Sequence, residues 1–280
     1  MDKNFKPEHI NATHDDFMGN DNVGRYIFFP GSDSRAKSIS ERFKNLKVKQ
    51  SSRGHNLYMG EIVDANQKID VASISSGMGT PSLDIILNEV LKLGGKRILR
   101  VGSSGSLQHD RVKLGHMVIA TASVRDEGAS RCYVPLEYPA VASIDMVEAS
   151  IKAAKKLNFK NRVHSGIIHS KDSLYGREFE EGPMKIENTR YMKILMDAGV
   201  LASEMEASML FTLSSLYDNE ISKKNNKERV LSGAVCMIIS AGPGFVDEKT
   251  MKTYTNEITD LAIHTFLELN KNEKNLLISI

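Results

Sequence analysis

Short apolar runs alternate with amphipathic helical patterns along this chain, and this alternation limits the possible folds more than any other feature. Three of the runs lead directly into glycine-rich segments. They are residues 26–29 before Gly31, residues 71–75 before Gly77 and residues 97–101 before Gly102. Strands that alternate with helices pack as a sheet covered by helices on both faces. We therefore predict an α/β fold, a three-layer α/β/α sandwich with a mixed central sheet.

The remaining elements follow from the same periodicity. Helices are predicted over residues 33–43, 81–93, 184–198, 204–217 and 247–270, and strands over 117–121, 162–168 and 230–239. Thr80 is expected to cap the helix that begins at Pro81. No internal repeat or long linker interrupts the pattern, so residues 1–280 are expected to form one domain. The Lys/Asn-rich segment 218–229 favours a solvated surface loop over a binding patch.

Composition excludes several classes of partner. The 280 residues are 41% hydrophobic and 26% charged, and the formal net charge of +2 attracts neither nucleic acid nor an anionic membrane. The two cysteines, Cys132 and Cys236, lie far apart, which favours reduced thiols. No apolar run approaches the roughly 20 residues of a membrane helix, and the N-terminal residues lack the apolar stretch of a signal peptide. A cytoplasmic protein is expected.

Two of the glycine-rich segments have an arginine nearby. Arg35 lies four residues after Gly31, and Arg100 lies two residues before Gly102. Ligands of α/β sheets bind beyond the strand ends, where glycine lets backbone N–H groups approach an anion. The arrangement indicates a site for one small oxyanion, although such turns also occur for purely steric reasons. The spacing at Gly102 is not the dinucleotide fingerprint, and no Walker phosphate loop is present, so no nicotinamide cofactor is indicated.

Two carboxylates stand close together at the predicted start of a helix. Glu204 and Glu206 are two residues apart and therefore do not share a helix face. One of them can point into a cleft while the other interacts with the helix N-terminus, where negative charge is favoured. The alternative is a pair of capping acids on a surface helix.

Six longer motifs carry a resemblance to a known family. They are FFPGSDSRA, ISSGMGTPS, ILRVGSSGSLQ, ASVRDEGAS, PLEYPAVA and SEMEAS. With them the chain resembles the nucleoside phosphorylases, the family of uridine phosphorylases and purine nucleoside phosphorylases, from about His9 to the closing helix. The stretch from ASVRDEGAS to PLEYPAVA resembles the uridine phosphorylases in particular.

The resemblance implies a set of binding residues. For phosphate it implies Gly31, Arg35, Arg100 and Ser103, with Arg53 reaching in from a neighbouring subunit. For ribose it implies Met78, Met205 and Glu206, with His9 reaching in from the partner. Arginines suit phosphate because their guanidinium forks match its oxygens. A homodimer is the smallest assembly that completes such a site.

The activity that the resemblance implies is phosphorolysis. Inorganic phosphate and a nucleoside, with uridine first, are converted to free base and ribose 1-phosphate in pyrimidine salvage. No cofactor and no metal are required. Glycosidic cleavage has an oxocarbenium-like transition state, which a bound phosphate stabilises as it attacks.

The base-recognition segment departs from the family pattern. Uridine phosphorylases meet uracil with a Gln-x-Arg loop and a later Arg, whereas residues 173–180 here lack glutamine and Ser240 replaces the second Arg. The candidate base contacts are Ser104, Gly105, Leu174, Arg177, Leu201 and Ser240. Three hypotheses follow: a uridine phosphorylase with unusual base contacts, a weak or inactive paralogue that binds the ligands, and a phosphorylase for another nucleoside.

Overall fold

The computed structural model describes residues 5–64, 67–159, 161–225, 228–242 and 244–278, and ten strands within them join in one mixed sheet. The strands are β1 Tyr26–Phe28, β2 Lys44–Lys49, β3 Leu57–Asp64, β4 Gln67–Ser73, β5 Arg97–Ser106, β6 Met117–Asp126, β7 Ala140–Val141, β8 Val163–Lys171, β9 Ala202–Glu204 and β10 Leu231–Ser240. The α-helices of the same residues are α1 Asp33–Ser40, α2 Thr80–Lys92, α3 Ile144–Lys156, α4 Lys185–Asp197, α5 Ala207–Lys224 and α6 Glu248–Ile278.

Part of the sheet closes on itself. Strand β10 pairs with both β5 and β6, β8 joins β6 to β9, and β9 pairs back onto β5. From β5 the sheet continues as an open blade through β1, β4, β3 and β2. Strand β1 lies parallel to both β4 and β5, so the carboxyl ends of these three strands meet at one edge.

Helices cover both faces of the sheet. Alternate residues of a strand point to opposite faces, and accordingly Ile27 of β1 packs with helices α2 and α5, whereas Tyr26 and Phe28 pack with α1, α3 and α6. Phe211 of α5 and Phe266 of α6 lie fully buried in these two separate cores. The predicted three-layer α/β/α sandwich with a mixed sheet is confirmed.

Strand β5 is longer than the sequence indicated. Residues 102–106 were expected to form a turn, but they continue the strand, with Gly102 opposite Cys236 of β10 and Gly105 opposite Ser203 of β9. Glycine and serine have low strand propensity, and pairing on both sides overrides it here. The glycine-rich segment is therefore a rigid wall rather than a flexible loop.

Several helix boundaries also differ from expectation. Helix α5 begins at Ala207 because Glu204 ends strand β9, and helix α1 ends at Ser40. Thr80 is not the N-cap of α2. That position belongs to Gly79, whose φ of 81° suits glycine, while Thr80 already lies inside the helix and donates to Asp172 at 3.2 Å.

Some elements were not predicted at all. Helix α3 and strands β2, β3, β7 and β9 have no counterpart in the sequence reading. Within the segment 218–229, helix α5 continues to Lys224, so its first half is helical rather than a loop, and Arg229 binds back to Asp218 at 2.9 Å. Residues 226–227 of that segment lie outside the described residues.

The packing of α6 on β1 yields a prediction of stability. Phe266 is fully buried, with ring centroids 5.1 Å from Tyr26 and 4.8 Å from Phe28. We expect Phe266→Ala to lower the free energy of unfolding by about 3–5 kcal/mol, because it leaves a cavity between helix and sheet. Urea denaturation measures this. The exposed Lys252→Ala on the same helix is the control, and equal midpoints for the two variants would contradict the role given to α6.

Candidate active site

A cavity of about 250 Å³ opens at the sheet edge where the carboxyl ends of β1 and β10 meet the second half of β5. Most of the residues singled out in the sequence line it. They are Gly31, Arg35, Met78, Arg100, Ser103, Ser104, Gly105, Leu174, Met205 and Glu206. The fold thus brings segments separated by more than a hundred residues around one space.

One end of the cavity is rich in cationic donors. Ser32 caps α1 by accepting the backbone N–H of Arg35 at 3.3 Å, which directs the first turn of that helix toward β5. The Arg35 guanidinium lies 3.4 Å from the Ser103 hydroxyl oxygen. Burial, reinforced by the nearby charge of Arg100, lowers the pKa of Arg35. An anion bound here would offset both the burial of the Arg35 charge and its repulsion from Arg100.

Arg100 lies buried between two carboxylates. Its Nε donates to Glu204 Oε2 at 2.7 Å, and its Nη2 pairs with Glu206. Burial alone would lower the pKa of Arg100, but the charges of Glu206 and Glu204 outweigh it and raise the pKa. Nη1 is buried and has no hydrogen-bond partner among the described residues. An unpaired buried donor is costly, so it favours a ligand that accepts from it.

The two carboxylates have different partners. Glu204 accepts the backbone N–H groups of Glu206 at 2.9 Å and Ala207 at 3.0 Å, so it serves the start of α5, as the sequence indicated for one of the pair. Burial raises the pKa of Glu204, but Arg100 and these hydrogen bonds hold it below the ordinary value. Glu206 accepts the N–H of Gly79 at 2.6 Å, and its burial raises its pKa.

His9 and Arg53 lie away from this cavity on the protein's own surface. Arg53 is exposed on a turn, and its N–H donates to Ser51 Oγ at 3.2 Å. The same Ser51 hydroxyl donates to the carbonyl of His9 at 2.8 Å. His9 Nδ1 lies 2.8 Å from Glu89, whose carboxylate also accepts backbone N–H groups of that segment. The two residues therefore belong to one surface patch, held together by Ser51.

Arg177, Leu201 and Ser240 do not line the cavity. Arg177 pairs with Asp126 at 2.7 Å and stacks on Tyr191 beside a neighbouring cavity. Leu201 is 5% exposed and packs in the apolar core, because its position just before β9 turns it away from the sheet edge. The Ser240 hydroxyl donates to the Gly242 carbonyl at 2.7 Å. The structure places these three residues outside the cavity, and their role as base contacts stays a prediction.

Seven lining residues were not among the sequence candidates for binding. They are Ser32, Lys171, Glu178, Ser203, Ile239 and Phe245, together with Glu204, which was treated only as a helix or cleft acid. Lys171 is the last residue of strand β8, and its side chain is almost fully buried. A lysine three residues after the predicted strand 162–168 is the one signal that could have indicated it, since Lys is rarely buried without a partner.

The described residues hold no group of three or more His, Cys, Asp or Glu side chains that could bind a metal ion. Over the same part of the chain, no helix combines the length and apolar character needed to cross a membrane.

The buried Arg100 triad generates a pH-dependent prediction. Arg100→Met leaves Glu204 and Glu206 without their cation, so we expect a loss of about 3–5 kcal/mol of unfolding free energy at neutral pH. Without Arg100 the lowered pKa of Glu204 rises and the raised pKa of Glu206 rises further, so protonation of both carboxylates removes the penalty as the pH falls. The difference from the wild type should therefore shrink toward about pH 4. Chemical denaturation at several pH values measures it, and a pH-independent difference would contradict the prediction.

Comparison with known proteins identifies the family. Residues 25–222 match the phosphorylase superfamily. The chain is 32% identical over 218 residues to a uridine phosphorylase of Treponema pallidum (strain Nichols), covering 78% of each chain. It is 34% identical over 211 residues to a uridine phosphorylase of Haemophilus influenzae, covering 74% of this chain and 79% of the relative. A guanosine phosphorylase of Halorubrum lacusprofundi is 29% identical over 217 residues, covering 77% of this chain and 78% of the relative. The chain belongs to the phosphorylase superfamily, as its motifs indicated.

Proposed function

We propose that this protein cleaves a nucleoside with inorganic phosphate to give a free base and ribose 1-phosphate. One observation carries the proposal. The Arg35 guanidinium, the unpartnered Nη1 of Arg100 and the Ser103 hydroxyl surround the same cavity as Glu206. This combination offers donors to an anion next to an acceptor for sugar hydroxyls.

The chemistry follows from that arrangement. Phosphate bound by Arg35 and Arg100 lies beside C1′ of the sugar. As the C1′–N bond breaks, its electron pair leaves with the base, and positive charge develops on the ribose. The phosphate stabilises this charge and forms the new C1′–O bond, while the departing base takes a proton from solvent. Glu206 accepts hydrogen bonds from the ribose hydroxyls, and Met78 and Met205 cover the ring.

Similarity to uridine phosphorylases favours uridine as the substrate. Two of the relatives compared here are named uridine phosphorylases, and release of uracil would place the protein in pyrimidine salvage. A guanosine phosphorylase among the relatives keeps a purine nucleoside as the second candidate. The free thiols of Cys132 and Cys236 fit a reducing compartment, which supports a cytoplasmic enzyme.

We propose a homodimer as the working form. The surface patch that Ser51 organises presents His9 and Arg53 to solvent in the single chain. In a two-fold dimer each subunit would offer this patch to the cavity of its partner. Arg53 would then complete the phosphate site, and His9 would contact the ribose.

The first prediction of this proposal concerns phosphate. We expect base release from uridine or inosine only when phosphate is present, with ribose 1-phosphate as the second product. Arg35→Met should lower kcat/KM roughly 10²–10³-fold, because it removes a charged donor from the anion. The exposed Arg190→Met is the matched control and should behave as wild type. Product analysis and initial rates measure this, and phosphate-independent cleavage would exclude phosphorolysis.

The second prediction tests the shared site. Arg35→Met and Arg53→Met are each expected to be nearly inactive. When the two variants are unfolded and refolded together, hybrid dimers contain one site with both arginines. Half of the dimers are hybrid and each has one intact site of two, so activity should return to roughly a quarter of wild type. Absence of recovery in a mixture shown to contain hybrids would place Arg53 outside the site.

A further inference from the structure

A buried ion pair borders the cavity beyond the phosphate donors. Lys171 ends strand β8, is 1% exposed and pairs through its Nζ with Glu178. Both side chains line the cavity together with Gly105 and Leu174. The phosphorolysis mechanism described above gives this pair no task. A buried Lys–Glu pair is weak evidence for stability alone, because desolvation offsets much of its attraction.

A chain of hydrogen bonds fixes the position of Lys171. Its Nζ lies 2.9 Å from Ser203 Oγ, Ser203 Oγ lies 3.0 Å from His169 Nδ1, and His169 Nε2 lies 3.0 Å from Asp126. Burial lowers the pKa of His169 and so favours the neutral ring. Because a carboxylate only accepts, the neutral ring donates Nε2–H to Asp126 and accepts the Ser203 hydroxyl at Nδ1. Ser203 then accepts from Lys171. Since Ser203 is 1% exposed and accepts from an ammonium, it positions Lys171 and is not a nucleophile.

Glu178 is placed by an unusual local backbone. Residues Leu174–Glu178 form one turn of π-helix, capped by Ser173 Oγ, which accepts the N–H of Gly176 at 3.0 Å. Such turns often occur at functional sites. Glu178 Oε1 lies over Gly105, where even a single added Cβ would come within 2.2 Å of it. Glycine at this point of β5 therefore leaves room for a carboxylate at the cavity wall.

The pair presents an acceptor beside a donor. A carboxylate only accepts hydrogen bonds and an ammonium only donates them, so this side of the cavity offers both on adjacent groups. Lys171 directs two N–H groups to Ser203 and Glu178, while the third lies 3.4 Å from the Glu204 carbonyl, a long contact that a ligand oxygen can replace. Uracil carries a ring N–H beside a carbonyl, and 6-oxopurines carry the same arrangement at N1 and O6. Cytosine and adenine carry the reverse, a ring nitrogen lone pair beside an amino group. The lone pair would then face the carboxylate and the amino group would face the ammonium, so neither contact could form a hydrogen bond.

We propose that Glu178 and Lys171 recognise the base, with Glu178 accepting the ring N–H and Lys171 donating to the neighbouring carbonyl oxygen. The site then takes uracil or 6-oxopurine nucleosides and rejects cytidine and adenosine. Lys171 also places a positive charge where the departing base becomes negative. This inference rests on the proposed phosphorolysis and replaces the missing glutamine amide with a charged pair.

Substrate analogues test the inference on the unaltered protein. Uridine is compared with 3-methyluridine and cytidine, and inosine with 1-methylinosine and adenosine, all with saturating phosphate. We expect kcat/KM to fall at least about 100-fold for each methylated or amino analogue, because buried polar groups are left unpaired. Equal rates for a nucleoside and its N-methyl analogue would overturn the inference.

A binding measurement separates this inference from the proposed function. Calorimetry with free uracil and 3-methyluracil, and with hypoxanthine and 1-methylhypoxanthine, needs no turnover. If no nucleoside is cleaved but only the unmethylated bases bind, phosphorolysis is wrong and the recognition pair stands. Equal binding of methylated and unmethylated bases overturns the pair even when phosphorolysis holds.

A variant tests the carboxylate directly. Glu178→Gln offers an amide N–H to the cytosine lone pair, so the ratio of kcat/KM for uridine to that for cytidine should fall at least about tenfold. This ratio is independent of the folded fraction, so instability of the variant does not obscure it. Glu187→Gln, at an exposed position of α4, is the matched control and should keep the wild-type ratio. An unchanged ratio in Glu178→Gln would show that the pair is only structural.

Discussion

The buried guanidinium of Arg100 is the interaction on which the arrangement of the site depends. It joins the centre of β5 to Glu204 at the end of β9 and to Glu206 at the start of α5. Through Glu206 and the Gly79 N–H, the same charge network reaches the start of α2. Two buried carboxylates would be untenable without this cation. The cation in turn stays available to a ligand because two carboxylates leave one of its nitrogen donors unused.

The closed part of the sheet fixes the positions of the charged side chains around the cavity. Strand β9 is only three residues long, but it pairs with β5 on one side and β8 on the other. Ser203 and Glu204 therefore stand next to Gly105 and Lys171 without an intervening loop. Sites built on strands are more rigid than sites on loops, which suits a reaction that depends on preorganised charge.

Much of the fold and of the anion end of the site could be predicted because it depends on residues that are close together in the sequence. The strand–helix alternation predicted the layers, and Arg35 and Arg100 could be placed near each other because both lie beside strand-end glycines. The continuation of β5 through Gly102–Ser106 could not be predicted, since Gly and Ser disfavour strands and only pairing with β9 and β10 decides the matter. Lys171 was missed for a related reason: its partners Ser203 and Glu178 are distant in sequence or hidden in a π-helical turn.

The placement of Leu201 shows why the base end of the cavity was the hardest part to read. Leu201, next to the SEMEAS motif, was predicted as an apolar base contact, but it lies one residue before β9, whereas Ser203 lies within that strand. Leu201 enters the core, while Ser203 enters the hydrogen-bond chain that holds Lys171. In the proposed recognition pair, the donor Lys171 lies at the end of β8 and the acceptor Glu178 lies on the turn that follows this strand. A chain that lacks the loop amide can still offer paired donor and acceptor groups, provided that a buried lysine is oriented as firmly as Asp126, His169 and Ser203 orient this one.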